Sequence, residues 1–324
     1  MKAIVQERFG PPEVLRLADV EVPEIGADDV LIRVHAAALN PYDWHMVRGD
    51  PRVARLMGVG LTKPKARVAG VDGAGRVEAI GANVTVLRPG DEVLGFCRGA
   101  FAEYAGAKAD KVVPKPSRLT FEEAAAIPMA ALTALQALVD VAQVQAGQRV
   151  LINGAAGGVG TYAVQIAAAL GAEVTGVCST RNVELVRSIG AADVVDYTTD
   201  DFTDGRPSYD VILDNVGNRP LSRLRRALTP TGTLVVNGGG SPGHVVGAVG
   251  SIAKAVIVNG FVRHRIRPLS AQAKQRDLVT LTGLVDDGRL TPVLDRTLPL
   301  ADVVEGLRHV ERGHARGKVI LSVA

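Results

Sequence analysis

Residues 149–160, Arg149-Val150-Leu151-Ile152-Asn153-Gly154-Ala155-Ala156-Gly157-Gly158-Val159-Gly160, constrain this chain more than any other stretch. Val150 to Ile152 is a short apolar run and reads as a buried strand. A turn of Gly and Ala follows, and from Thr161 to Leu170 apolar residues recur at helical spacing. Strand, glycine turn and helix in this order open a βαβ unit whose helix N-terminus receives a pyrophosphate. Gly157 lets backbone approach such a group closely, and Gly160 lets the helix pack tightly on the strand. Backbone N–H groups do the binding, so Gly154, Ala155, Ala156, Gly157, Gly158, Val159 and Gly160 form the expected cradle of a dinucleotide. Ala155 stands where the usual pattern has its first glycine, and a glycine turn with no ligand is the alternative.

The next segment bears on which dinucleotide. Ala172–Cys178 reads as the second strand. A carboxylate at its end, about 20 residues past the glycines, would bond a ribose 2′-OH. Here the end reads Cys178-Ser179-Thr180-Arg181, and the first carboxylate is Glu184. A hydroxyl and a guanidinium, Ser179 and Arg181, suit a 2′-phosphate. Tyr197, at the end of the following strand, is placed to close over the adenosine. NADPH is therefore expected rather than NADH. In the alternative, Ser179 or Thr180 caps the next helix and Arg181 is solvated.

The chain changes character near residue 125. Before it, short β-like runs (Lys2–Gln6, Asp29–Ala37, Ala69–Ile80, Glu92–Phe96, Phe101–Ala107) are punctuated by Pro and Gly, as in a compact, mostly β domain. From 125 to 262 strands and helices alternate, as a doubly wound parallel sheet requires. The candidate strands there are Val150–Asn153, Glu173–Val177, Val194–Asp196, Val211–Asn215, Gly232–Asn237 and Val256–Phe261. The expected fold class is α/β: a Rossmann-type domain over 125–262, and a second domain built from 1–124 and 263–324.

Charge is nearly balanced, with 37 Lys and Arg against 34 Asp and Glu. The densest basic run, Arg263-His264-Arg265-Ile266-Arg267, is read as local, and aromatic residues are too few for base-stacking platforms, so no nucleic-acid partner is expected. Two distant cysteines, Cys97 and Cys178, make neither a disulfide framework nor a CxxC pair. No apolar stretch reads as a signal peptide or a membrane span. A cytoplasmic protein is the expectation.

Six pieces come in a telling order: Asn40-Pro41-Tyr42-Asp43, Ala69-Gly70-Val71-Asp72-Gly73-Ala74-Gly75, Arg88-Pro89-Gly90-Asp91-Glu92-Val93, Ala131-Leu132-Thr133-Ala134, Ala155 to Gly160, and His314 to Leu321 with Lys318. As a set, spanning essentially the whole length, they resemble the zinc-independent medium-chain dehydrogenases/reductases, and among these the quinone oxidoreductase group. The resemblance implies that the β domain is GroES-like and that the chain's end rejoins it. It also implies that Asn40 and Tyr42 face the nicotinamide, that Thr133 contacts its carboxamide, and that Lys318 lies near the cofactor. Asn215, Val216 and Gly217 end the fourth strand, and Gly238, Gly239 and Gly240 the fifth, where ligands cross such sheets. Each has a plainer alternative: a turn at Asn40-Pro41, a self-bonded helix hydroxyl at Thr133, a hinge at the glycines, a surface lysine at Lys318.

Catalytic zinc needs three Cys, His or carboxylate ligands. The zinc relatives carry a Cys where this chain has Asn40–Asp43, and a His-Glu pair after the Gly where it has Gly70-Val71-Asp72. With only His45 and Asp72 nearby, no metal is expected, and Asp72 is read as architectural. Without a Lewis acid, substrates that already accept hydride are favoured. The expected activity is NADPH-dependent reduction of a quinone or α,β-unsaturated carbonyl, with Asn40 and Tyr42 as the catalytic candidates and Tyr42 or solvent as proton donor. One alternative is an enoyl-thioester reductase drawing on Arg48, Arg52, Arg55 and Lys63 for the substrate's phosphates. Another is a non-catalytic NADPH-binding sensor or RNA-binding protein. The apolar run Ala255–Phe261, read as an edge strand, is expected to pair across a two-fold axis in a homodimer.

Overall fold

The structure is a computed structural model and describes residues 1–50, 60–204, 208–237 and 263–323. The chain forms two compact units: Met1–Leu132 with Ala273–Ala324, and Thr133–Gln272. From sequence the boundaries are expected at 124/125 and 262/263.

The first unit opens with β1 (Lys2–Val5), β2 (Arg16–Asp19) and the long β3 (Asp29–Leu39). Then come α1 (Pro41–Arg48), β4 (Asp72–Ile80), β5 (Glu92–Phe96), β6 (Tyr104–Lys108), β7 (Val112–Pro114) and α2 (Phe121–Ala125). Helix α3 (Pro128–Leu135) carries the chain over into the second unit.

There β8 (Arg149–Asn153) leads into α4 (Gly158–Ala169), followed by β9 (Glu173–Cys178), α5 (Val183–Ser188) and β10 (Asp193–Asp196). The second half has β11 (Tyr209–Asp214), α6 (Leu221–Arg226), β12 (Leu228–Val236) and β13 (Arg265–Pro268). Returning to the first unit, the chain adds α7 (Gln275–Asp286), β14 (Leu294–Pro299), α8 (Val303–Glu311) and β15 (Lys318–Ser322).

In the second unit the strands lie in the order β10-β9-β8-β11-β12-β13, all parallel. This is the doubly wound order, and its direction reverses between β8 and β11. Strands buried on both faces read as continuous apolar runs, which is why Val150–Ile152 and Val211–Leu213 were legible. The sixth position is held by Arg265–Pro268, not by the apolar run expected there. Val256–Phe261, and with it the dimer surface read from Ala255–Phe261, lies outside the described residues. The difference has a simple cause. An edge strand needs only one buried residue in two, and in β13 Ile266 is buried while Arg265 and Arg267 face solvent. The core of this unit gathers Leu151, Val177, Phe202, Tyr209, Ile212, Leu234 and Ile266.

In the first unit a seven-stranded sheet runs β14-β15-β3-β4-β5-β7, with β6 also paired to β3. Its pairs are antiparallel except β14 with β15. Strand β3 is the hub, bonded to β4, β6 and β15, so the two segments of this unit meet on it. Alternate β3 residues Val30, Ile32 and Val34 enter a core shared with Trp44, Phe101, Leu307 and Val319. The end of β3, the start of β4 and the start of β15 thus lie side by side, with Ala38 opposite Asp72 and Leu39 opposite Val319.

Candidate active site

The glycine turn after β8 is built from two different close approaches. Gly154 takes a left-handed backbone, φ 79°, which glycine alone adopts without strain. Its N–H and that of Ala155 donate to Val177 O on β9, at 3.2 and 3.0 Å. Ala155 is fully buried, so the substituted glycine position faces protein. At Gly160 a Cβ would stand 2.0 Å from Gly154 O, so the helix seats on the turn only without a side chain there. At Gly157, by contrast, the nearest atom to a Cβ is Gly154 O at 3.4 Å. The outer side of Gly157 is open.

Gly157 is also the N-cap of α4, in extended conformation and with no side-chain capping bond. The first-turn N–H groups of a helix have no intrahelical partner. Here Gly158 and Val159 are only half-buried, so a ligand anion can reach them.

Beside the turn, across the switch point, lies a polar cluster at the carboxyl ends of β8 and β11. Asp214 Oδ1 accepts from Asn153 Nδ2 at 2.8 Å, Gly217 N at 2.9 Å and Val216 N at 3.1 Å. Asn237 Nδ2 donates to Asn215 Oδ1 at 2.8 Å, and the Asn215 Nδ2 donor is buried with no partner among the described residues. Buried donors are normally paired. An orphaned donor, an open glycine and an uncapped helix in one unit are what a dinucleotide needs, and these residues fit it. Asn153, Asp214 and Asn237 went unnoticed in the sequence. Their only signal was a polar residue closing each apolar strand. Gly238, Gly239 and Gly240 lie outside the described residues.

At the far end of the turn, Ser179 heads a 3-10 turn, Thr180–Asn182, and accepts from Asn182 Nδ2 at 3.3 Å. No side-chain cap forms there. Arg181 is exposed, and Tyr197, 42% exposed, has its N–H on Cys178 O at 3.0 Å. Ser179, Arg181 and Tyr197 thus share the carboxyl end of β9 and β10. So does a carboxylate that the spacing rule missed. Asp196 sits opposite Cys178 on the neighbouring strand. It accepts Thr198 Oγ1 at 2.7 Å and Thr198 N at 2.9 Å, and hydrogen bonds from Thr180 and Thr198 hold its carboxyl below the usual range. It is engaged with hydroxyls of its own strand ends.

In the first unit, the motif Asn40–Asp43 closes β3 and opens α1. Pro41 is the first helical residue, where its missing N–H costs nothing. Asp43 Oδ2 accepts the Asn40 N–H at 2.7 Å, one arm of a capping box. The Asn40 side chain turns the other way: Nδ2 donates to Asp72 Oδ2 at 3.0 Å and Oδ1 accepts Lys318 Nζ at 2.5 Å. Lys318 Nζ also donates to Leu39 O at 3.3 Å and lies 3.9 Å from Asp72 Oδ2. Asn40, Asp43, Asp72 and Lys318 are all buried. Asn40 and Lys318 bond each other, because a buried ammonium must find acceptors inside the protein. Tyr42 points outward, 44% exposed, and burial, then the Asp43 carboxylate, raises its phenol. Thr133 is buried in α3.

Among the described residues no three His, Cys, Asp or Glu side chains cluster as metal ligands. His45 stacks on Trp44 and sets Nδ1 3.0 Å from Asp50 O. Arg48 is paired with Glu311 at 2.6 Å and Lys63 is exposed, while Arg52 and Arg55 lie outside the described residues.

Comparison with known proteins gives this architecture its place. Residues 26–117 match the alcohol dehydrogenase GroES-like domain, and residues 189–321 the family described as zinc-binding dehydrogenase. The mouse mitochondrial NAD(P)H oxidoreductase RTN4IP1 is 35% identical over 100% of this chain and 89% of its own. The chain belongs to the medium-chain dehydrogenase/reductase family. An Arabidopsis thaliana chloroplastic NADPH-dependent alkenal/one oxidoreductase is 31% identical over 99% of this medium-chain reductase and 79% of its own length. The quinone oxidoreductase structure from Coxiella burnetii superposes with a TM-score of 0.86 at 34% identity, covering 100% and 99% of the two chains.

Two carboxylates of this medium-chain reductase share one buried ammonium. Burial, with Asp72 alongside, pushes the Asp43 carboxyl up to about 7. Burial pushes Asp72 up to about 6, against the pull of Lys318. Both groups bind protons more tightly folded than unfolded, so their contribution to stability is fully present below the unfolded value of 3.8 and is lost as pH rises through about 6 to 7. Thermal melts of Asp43→Asn should therefore show a flatter decline in Tm between about pH 5 and 8 than the parent. Equal slopes would mean that Asp43 stays ionised throughout.

The two glycines predict opposite outcomes. Gly160→Ala should cost about 2 kcal/mol or more in urea unfolding, because the Cβ overlaps Gly154 O. Gly157→Ala should fold with near-parent stability and lose NADPH affinity. Comparable losses of stability would show that Gly157 is packed rather than open.

Proposed function

We propose that this chain is an NADPH-dependent reductase that delivers hydride to a quinone or an α,β-unsaturated carbonyl without a metal ion. The observation that carries the reading is the open, uncapped start of α4 beside the unpartnered Asn215 donor, with Ser179 and Arg181 at the end of β9. The activities named for the Arabidopsis and Coxiella relatives support the substrate class.

Each residue has a defined task. The N–H groups of Gly158 and Val159 receive pyrophosphate oxygens at the positive end of α4. Ser179 and Arg181 supply a hydroxyl and a guanidinium for the 2′-phosphate, with Tyr197 alongside. Asn215 Nδ2 and the Thr133 hydroxyl orient the nicotinamide side of the cofactor. Bound NADPH supplies the hydride. Substrates of this class spread the developing negative charge over a conjugated system, so an oriented donor, exclusion of water and a few hydrogen bonds suffice. Tyr42, the outward member of its turn, or solvent returns the proton. Metal independence rests on residue types: Asn40–Asp43 holds no Cys where the zinc enzymes carry one, and Val71-Asp72 stands where they carry His-Glu.

The deciding experiment follows NADPH oxidation against quinones, enones and enoyl thioesters, with metal content measured on the same sample. Quinone or enone turnover that persists in chelator is expected. Robust oxidation of a primary alcohol with NADP, and no quinone or enone turnover, would overturn the reading.

Two variants test the residue roles. Arg181→Ala should weaken NADPH binding by about 1–3 kcal/mol, the usual worth of a charge-assisted hydrogen bond, and leave NADH nearly unchanged. Equal losses for both cofactors would remove Arg181 from the 2′-phosphate. Tyr42→Phe should slow turnover about 100-fold or more if Tyr42 gives the proton, and change little if water does. A steady-state kcat for each substrate class separates the two.

A further inference from the structure

The buried cluster at the end of β3 is costly, and its cost points to a purpose. Asp72 and Asp43 are carboxylates 0% and 3% exposed, and Lys318 is an ammonium 3% exposed. Burying charges is unfavourable unless each is paired and hydrogen-bonded, and apolar residues of the same size often serve stability equally well. The geometry shows what the charges do that apolar residues would not. Asp72 Oδ2 accepts from Asn40 Nδ2 at 3.0 Å and from Met129 N at 3.1 Å. Lys318 Nζ donates to Leu39 O and Asn40 Oδ1. The Asn40 amide therefore has one allowed orientation, since turning it over would set its NH2 group against the ammonium and its oxygen against the carboxylate. Backbone of the turn is gripped as well: Leu39 O by Lys318, Asn40 N by Asp43.

Met129 adds a second point of attachment. It lies in the first turn of α3, the helix that carries Thr133, and a carboxylate there complements the helix dipole. The side chains of Asn40, Asp43, Asp72 and Lys318 are all buried, and their polar contacts are with one another and with nearby backbone. Pro41 and Tyr42 are the exposed residues of the turn.

We propose that Asp72, acting through Asn40, Lys318 and the Met129 N–H, is a positioning residue of the reductase site, fixing the turn that bears Tyr42 and the first turn of α3. This rests on the reductase reading above. The role is indirect: Asp72 sets where the outward side chains stand and takes no part in hydride or proton transfer.

The test compares Asp72→Asn with the charge-neutral double variant Asp72→Asn/Lys318→Met, which leaves Lys318 no unpaired buried charge to unfold the chain. Three quantities are read: kcat and KM with a quinone, the dissociation constant of NADPH, and amide hydrogen exchange of residues 38–44 and 128–134 without ligand. We expect the double variant to fold, to bind NADPH within about threefold of the parent, and to lose about tenfold or more in kcat, since displacement of an oriented group by an ångström costs up to about 100-fold. Exchange should quicken in those two segments and stay unchanged over β8 and α4. A double variant with parental kcat, or with parental exchange in both segments, would overturn the proposal whatever its Tm. If the parent turns over no quinone or enone, the reductase reading fails on its own, and the exchange comparison still decides whether Asp72 holds the two segments.

Discussion

The contact between Gly160 and the Gly154 carbonyl is the constraint on which the nucleotide half depends. With no side chain between them, α4 settles directly on the end of β8. That seating points the helix start at the carboxyl edge of the sheet and leaves Gly157 facing outward. A helix held a few ångströms further off would present its unpaired N–H groups elsewhere, and the orphaned Asn215 donor across the switch point would have no partner to share with them. Helix position and anion site both depend on one missing Cβ.

The two units manage polarity in opposite ways. Around the glycine turn the binding groups are backbone amides and neutral amide side chains, organised by one carboxylate, Asp214, which accepts three donors. Such a site is held by one carboxylate engaged with three donors, and it leaves the positive helix end for an anionic ligand. At the end of β3 the reverse holds. Three ionisable groups are sealed from water, with two carboxylates competing for a single ammonium. Their bonds run between β3, β4, β15, α1 and α3, tying segments far apart in sequence. Polar networks of this kind are exacting, because one lost partner strands a charge in a low dielectric.

Legibility followed the physics of each element. Parallel strands buried on both faces announce themselves as apolar runs, and the glycine turn is a local motif whose spacing survives in one dimension. The medium-chain family was recognisable because its six short motifs stand in order. The edge strand Arg265–Pro268 was not legible, since three of its four residues are Arg or Pro and its one buried side chain gives no period. Asp196 escaped for a different reason. It stands opposite Cys178 through pairing of adjacent strands, a neighbourhood that spacing along one strand does not encode.

By itself the sequence determined the doubly wound class, the glycine cradle from Gly154 to Gly160, the hydroxyl and guanidinium at Ser179 and Arg181, and that neither Cys nor His stands in Asn40–Asp43 or Gly70–Asp72. These depend on residue type and local order. Only the tertiary structure decided that Asn40 and Lys318 face each other and Asp72 rather than outward, and that Tyr42 alone of the turn's titratable groups reaches solvent. It also decided that Asn215 keeps an unpaired donor. The reason is that burial and partnership are set by strands brought together from distant parts of the chain. Lys318 finds Asn40 only because β15 pairs with β3, and no pattern along the sequence records that register.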